Sequence, residues 1–390
     1  MDYHIKETKW VEIDLDALEF NIKQIQRKIG NNVKIAAVVK ADAYGHGARE
    51  IAGTLLETGA FQLAVSSINE ALELRPLYAN IDILILGNIT EDYISQAIQC
   101  NLQQTVTLHI QALQISKIAE ILKKTAYIHI KIDTGMSRLG FPVSEQTIKE
   151  IIHISKLPYV KIVGIFSHFA TADDENKSFT HLQFDRFQWV IQQLEQNRVN
   201  IPFRHIANSA AILEFPETYL NMVRPGIILY GIYPDPSVHH KNFNLRPVMT
   251  FKAKIIHIKK LDKDCGVSYG QKYIAKKGTT IATIPVGYAD GYSRLLSGKT
   301  QMLYRNRIVP VIGTICMDQC MIDITGIPDP HLGDEVVLFG TQGNHEITVD
   351  HLASLYGTIS YEITSGISRR VPRIYWKHNE IVRFVSYLNS

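Results

Sequence analysis

Lys40 closes the apolar run KIAAVVK and is followed at once by ADAYGHG. If that run is a strand of a parallel sheet, its last side chain sits at the carboxyl edge, where α/β barrels place their chemistry. A partly desolvated lysine there loses proton affinity and becomes an amine able to attack a carbonyl and form a Schiff base. The plain alternative is a strand-end lysine whose ammonium snorkels into water.

AYIHIKIDTGMSRLG, residues 126 to 140, adds a second set. Its period of two puts Ile128, Ile130 and Ile132 on one face and Tyr127, His129, Lys131 and Asp133 on the other, which turns a charged face towards a barrel interior unless the strand is simply exposed. Arg138, just past the strand, is placed to face an anion, and a buried Lys131 demands a negative partner or a chemical modification. HFATADDE offers His168, HIANSAA offers His205, Asn208 and Ser209, and MVRPGIILYG offers Arg224 ahead of the amides of Gly226 and Ile227. Ser209 with those amides is a donor set suited to a phosphate monoester where barrel strands seven and eight end. Taken singly, each has an ordinary reading as a cap, a turn or a packed histidine.

The elements that must hold these residues are legible as alternating runs. Strand candidates fall at 34–40, 62–67, 82–87, 103–108, 126–133, 160–168, 203–208 and 222–231. Between them lie helical patterns: in HGAREIAGTLLETG, Ala48, Ile51, Ala52, Leu55 and Leu56 recur at helical spacing before Gly59, and in KSFTHLQFDRFQWVIQQLEQ, Phe179, Leu182, Phe187, Val190 and Leu194 share a face. Eight such βα units predict an α/β fold of the closed (β/α)8 TIM-type barrel, with an open doubly wound sheet as the alternative. After NLRPV the texture changes to short β-rich pieces with one helical candidate at VDHLASLYG. The expected division is a barrel domain, 1–245, and a mainly β domain, 246–390.

A chain of 390 residues with 46% hydrophobic and 20% charged residues is expected to be globular, and a net charge of +3 without a Lys/Arg block gives no footprint for nucleic acid or a membrane surface. MDYHIKETKW has no signal-peptide core and no later run reaches a membrane span, so a cytoplasmic protein is expected. Four scattered cysteines, Cys100, Cys265, Cys316 and Cys320, suit reduced thiols. No metal motif is present, and His239 and His240 read as solvated loop residues.

AVVKADAYGHG, KIDTGMSRLG, SHFATAD, HIANSAA, VRPGIILYG, GVSYG, PVGYADGYSR, GTICMDQ and ISYEI with RRVPRIYW, in that order, resemble the alanine racemase family from about residue 10 to the end. The resemblance implies a pyridoxal phosphate enzyme of fold type III, a barrel with a β-rich carboxyl-terminal domain, and a homodimer. By similarity Lys40 carries pyridoxal 5'-phosphate as a Schiff base and serves as one base. Tyr269, in GVSYG, is the second, supplied to the partner subunit's active site. Inverting a stereocentre requires removing a proton from one face and delivering one to the other, so two bases on opposite sides suit the reaction. Tyr269, His168, Arg224 and His205 resemble the family's hydrogen-bonded set, with Arg224 on the pyridine nitrogen. Tyr44, Asn208, Ser209, Gly226, Ile227 and Tyr361 resemble the phosphate-binding group and its support. Arg138 and Met317 match substrate-binding positions, Lys131 a lysine often N-carboxylated, and Asp173, Tyr288, Arg294, Cys316, Asp318, Ile359 and Tyr361 a narrow entrance and its surroundings. Ser137 stands where the family pattern commonly has glycine. The implied activity is interconversion of L- and D-alanine, supplying D-alanine for peptidoglycan. A racemase of broader specificity, an α-decarboxylase of the same fold and a pyridoxal phosphate-binding protein are the alternatives.

Overall fold

The structure is a computed structural model that describes residues 5–235, 238 and 243–388. His239 and His240 lie outside the described residues. The chain divides into two compact units: Leu18–Ala43 with Ala48–Arg246, and Met1–Ala17 with Tyr44–Gly47 and Pro247–Ser390.

The first unit is a nearly closed barrel of eight parallel strands. After β1 (Lys9–Asp14), which belongs to the other unit, come β2 (Lys34–Val38), β3 (Gln62–Val65), β4 (Ile83–Ile85), β5 (Gln103–Val106), β6 (Ala126–Asp133), the two-residue β7 (Phe141–Pro142) beside β6, β8 (Val160–Phe166), β9 (Phe203–His205) and β10 (Met222–Val223). They are ordered β10, β2, β3, β4, β5, β6, β8, β9, all parallel. Between β9 and β10, where no ladder forms, Arg204 N–H donates to Asn221 Oδ1 at 2.8 Å and Arg224 N–H to Ala207 O at 2.9 Å. β10 is far shorter than its apolar run because Pro225 has no N–H to give a ladder; the chain turns instead into a 3-10 segment, Ile227–Tyr230.

The helix Ala48–Glu57 buries Ala48, Ile51, Ala52, Thr54 and Leu55, close to the expected face, and Gly59 stops it at φ +119°. The helix Ser178–Gln196 is rotated from the expected face. It buries Thr180, Gln183, Phe184, Phe187, Val190, Ile191 and Leu194, while Leu182 is 42% exposed. Gln183 turns inward because its amide has work there: it accepts from Ala170 N–H at 2.9 Å and donates to His168 O at 3.1 Å. Hydropathy alone does not register such a demand.

The second unit is a largely antiparallel sheet in which β1 runs between the strand Met249–Lys254, antiparallel to it, and the strand Arg373–Lys377, parallel to it. A separate hairpin pairs Cys265–Val267 with Tyr273–Ala275, its inner residues Val267 and Ala275 packing on Ile281 and Ile312. Among the described residues no helix is long and apolar enough to cross a membrane.

Within the barrel unit, fully buried Asn21 donates to Leu229 O at 3.1 Å and Arg246 O at 2.8 Å, and accepts from Arg246 N–H at 2.8 Å. Replacing it with leucine leaves three backbone groups without partners at about 1 kcal/mol or more each. Asn21→Leu is therefore expected to lower unfolding stability by about 2–4 kcal/mol, read from a denaturant titration.

Candidate active site

Lys40 follows β2 and opens a backbone turn of unusual hand. Ala41, Asp42, Ala43 and Tyr44 all have φ between 52° and 55°, a conformation that costs L-residues about 1–2 kcal/mol each. The turn is held from outside: Glu70 Oε1 accepts from Ala41 N–H at 2.7 Å and Asp42 Oδ1 from Ala48 N–H at 2.8 Å. Glu70 is itself fixed, because its Oε2 accepts from Ser66 and Ser67 N–H in a capping box at the start of the helix Ile68–Leu74. The sequence carried that signal in SINE; its tie to Lys40 is tertiary. Burial lowers the Lys40 ammonium pKa, the Arg138 charge lowers it further, Glu70 opposes, and Arg224 adds to the lowering.

The polar face of β6 does turn inward. His129 is fully buried and Lys131 is 5% exposed, while Ile128, Ile130 and Ile132 are fully buried on the other face. Lys131 Nζ donates to Ile132 O at 3.0 Å and sits 5.3 Å from the centre of the Phe166 ring. Burial and the Arg224 charge bring its pKa down to about 7. Arg224, 4% exposed, donates from Nη1 to His205 Nδ1 (2.8 Å) and His205 O (3.0 Å), and from Nη2 to Ser167 O (2.6 Å), Ile206 O (3.2 Å) and His168 Nδ1 (3.3 Å). Its carbon Cζ lies 5.2 Å from the Phe166 centroid, and Phe166 stacks on His205 at 6° between planes. Burial and Arg138 bring the guanidinium to about 9, still charged at neutral pH. Burial and Arg224 hold His168 and His205 well below the ordinary imidazole value, so both are neutral.

Lys40, Lys131, Arg138 and Arg224 thus influence one another inside one unit with no ion pair to a carboxylate among the described residues. Phe166, not singled out from the sequence, supplies an electron-rich face to two of those cations where a carboxylate is missing. At the same end Ser209 Oγ accepts from Gly226 N–H at 3.0 Å, with Ile227 next in the chain, and Asn208 caps the helix Ser209–Glu214 by accepting from Ala211 N–H at 3.0 Å. Asp173 is half-buried, and burial raises its carboxyl pKa.

The remaining predicted residues belong to the other unit. Tyr269 stands at the tip of the Cys265–Ala275 hairpin, 71% exposed. Its backbone is contorted to hold it there: Ser268 takes φ +66°, fixed by its hydroxyl donating to Thr314 O at 2.5 Å, and Tyr269 O accepts from Thr314 Oγ1 at 2.9 Å. Cys316 Sγ contacts Ser268 Oγ at 3.3 Å. Tyr288 and Ala289 N–H donate to Cys316 O and Met317 O at 3.1 and 3.0 Å, which brings the PVGYADGYSR and GTICMDQ segments together. Gly287 permits that approach, since a Cβ there would lie 2.2 Å from Cys316 O. Met317, Tyr288, Arg294 and Ile359 are exposed, Asp318 pairs with Arg370 at 2.8 Å, and the Tyr44 and Tyr361 rings are 5.9 Å apart.

Fold and site define a barrel enzyme class in which Lys40, an amine of lowered proton affinity, follows the carboxyl end of β2, with Lys131 and Arg224 buried and Arg138 exposed. Residues 13–234 match the model of the alanine racemase N-terminal domain, and 248–375 that of the alanine racemase C-terminal domain. The chain is 47% identical over 379 residues to alanine racemase 1 of Clostridium acetobutylicum, covering 97% of this chain and 98% of that protein. Among solved structures, the alanine racemase of Clostridium difficile 630 superposes with a TM-score of 0.95 at 42% identity, covering 98% of this chain and all of that one. A histidine racemase from Leuconostoc mesenteroides superposes at 0.88 with 28% identity, covering 96% and 99%. The chain belongs to the alanine racemase family.

Ser137, just before Arg138, has φ +55° and is held by its N–H donating to Asp133 Oδ1 at 3.0 Å. Glycine enters that conformation without steric cost. Ser137→Gly is expected to raise stability by up to about 1 kcal/mol with Arg138 undisturbed, measured by denaturant midpoint and steady-state assay.

Proposed function

We propose that the chain interconverts L- and D-alanine with pyridoxal 5'-phosphate as cofactor, Lys40 acting on one face of the substrate and Tyr269 of a second copy on the other. The observation that carries this reading is the cationic cluster of Lys40, Lys131, Arg138 and Arg224 around an amine of lowered proton affinity. Such a set fits a phosphorylated aldehyde and an amino-acid carboxylate together. When bound, pyridoxal phosphate supplies the electron sink that acidifies the α-carbon proton of an amino acid joined to it.

This chain's residues divide the remaining work. Lys40 would hold the cofactor covalently and, once displaced by substrate, take or return the α-proton. Arg224 donates five N–H groups and does not yield its proton at neutral pH, so it would bind the ring nitrogen without protonating it. Ser209, Gly226 and Ile227, with Tyr44 and Tyr361, would hold the phosphate, Asn208 keeping their helix in place. Arg138 and Met317 N–H would orient the substrate carboxylate. His168 and His205 would keep Arg224 in register. Asp173, Tyr288, Arg294, Cys316, Asp318 and Ile359 would shape the entrance. The exposure of Tyr269 on its own hairpin supports a homodimer in which it reaches a partner's cofactor. Cytoplasmic supply of D-alanine for peptidoglycan is the role this activity would serve.

Lys131 would be N-carboxylated. An amine with a pKa of about 7 is substantially unprotonated at neutral pH and can add carbon dioxide, forming an N–C bond and releasing its N–H proton to solvent, so that a buried site under the charges of Arg224 and Arg138 would hold an anion in place of a cation. The histidine racemase among the structural relatives keeps a second reading open: a different amino acid in the same machinery.

A chiral assay with pyridoxal phosphate and L-alanine, beside L-serine, L-lysine and L-histidine, tests the substrate. D-alanine formed fastest, and only with Lys40 intact, is expected; a Lys40→Ala protein that still racemises sinks the proposal. Tyr269→Phe should slow α-proton exchange on one enantiomer at least about 100-fold more than on the other, whereas equal losses would contradict the two-base assignment. Incubation with 13C-bicarbonate should give a carbamate carbon resonance that vanishes in Lys131→Ala, and its absence from the parent protein would refute the modification.

A further inference from the structure

The buried guanidinium of Arg224 is linked to more than its immediate neighbours. His205, which accepts from Arg224 through Nδ1, has its Nε2 3.0 Å from His129 Nδ1, and His129 Nε2 is 2.8 Å from Gln103 Oε1. All three are buried, Gln103 at 4% exposed and both histidines at zero. Arginine only donates, so His205 Nδ1 must be bare and its proton must sit on Nε2. That proton points at His129 Nδ1, which must also be bare; the His129 proton is therefore on Nε2 and meets the one group of Gln103 that can accept it. Every bond in the series runs the same way, from Arg224 to His205 to His129 to Gln103.

The barrel makes room for this series. The β6–β8 register shifts between Ile128 and His129, and Gly164 lies opposite, where an added Cβ would be 2.0 Å from His129 Nδ1. A bulge and a glycine spent on one ring indicate that its placement matters. Were His129 not an acceptor, His205 Nε2–H would be left buried without a partner at about 1–3 kcal/mol, relieved by rotating or re-protonating the ring that Arg224 needs bare.

We infer that His129 and Gln103 are positioning residues for Arg224, forming with His205 a one-directional hydrogen-bond relay that fixes the guanidinium and disperses its charge in place of a carboxylate. Burial and the Arg224 charge bring His129 down to about 3, so the relay runs through neutral rings at working pH. The relay is a property of the barrel and stands whether or not Lys40 carries a cofactor.

Selective 15N-histidine labelling of the full-length protein tests it by reading the tautomers directly. His205 and His129 should both show a protonated Nε2 and a bare Nδ1. Gln103→Met, of similar size without an acceptor, and Gly164→Ala, which pushes on the His129 ring, should each mix the tautomers of both histidines and lower kcat/KM about 10- to 100-fold. Gln103→Glu keeps an acceptor and should restore the parent tautomers. A protonated Nδ1 on His205 in the parent protein would overturn the relay. So would unchanged histidine spectra in Gln103→Met, even if that variant were less stable or less active. Racemase activity is not needed for the spectroscopic reading, so failure of the proposed reaction and failure of the relay give different results.

Discussion

Arg224 is a buried cation with no carboxylate within ion-pair range among the described residues. Taking a charge out of water without a counter-ion is costly, and the barrel offsets that cost with carbonyl oxygens of His205, Ser167 and Ile206, two neutral imidazoles and the face of Phe166. These acceptors come from β8, β9 and the segments after them, so the strands must end where they do for the guanidinium to be satisfied. The positive field that results also depresses the two nearby amines, Lys40 and Lys131. For Lys40 burial is the main cause and the Arg138 charge the next, with Arg224 adding to both against Glu70.

Two places store backbone strain, and each holds a residue proposed to act on the α-proton. After Lys40 four consecutive residues adopt left-handed angles, stabilised by Glu70 and Asp42; before Tyr269, Ser268 does so, stabilised through Thr314. Strained non-glycine conformations persist only where surroundings over-determine them. The first ends a strand abruptly so that Lys40 stands at its edge. The second raises an aromatic side chain out of a hairpin into the open, where a second copy could receive it.

Much of this was legible in the chain. The alternation of strands and helices and the placing of Lys40 at a strand end follow from period-two and helical spacing, whereas the inward turn of the polar face of β6, left open by the spacing, and the end of β10 before Arg224, inside an expected strand of 222–231, came only with the barrel. The motifs carried the family likewise. Less legible were residues whose role lies in a distant hydrogen bond. Gln103 opens the polar strand QQTV and Gln183 lies on an amphipathic helix, where hydropathy reads both as solvent-facing, yet both are buried because backbone or histidine partners from remote segments require their amides. Phe166 looks like any core aromatic until two cations are found over its ring.

The sequence by itself determined the alternation of elements, the residue types available at each strand end and the family, since all three are encoded in local spacing and short motifs. Tertiary structure alone decided three things. It placed β1 between strands that lie far later in the chain, it joined Glu70 to the turn after Lys40, and it aligned Arg224, His205, His129 and Gln103 into one series. The physical reason is common to them. Hydrogen bonds and buried charges act over about 3 Å of space, irrespective of the tens or hundreds of residues that separate the partners along the chain.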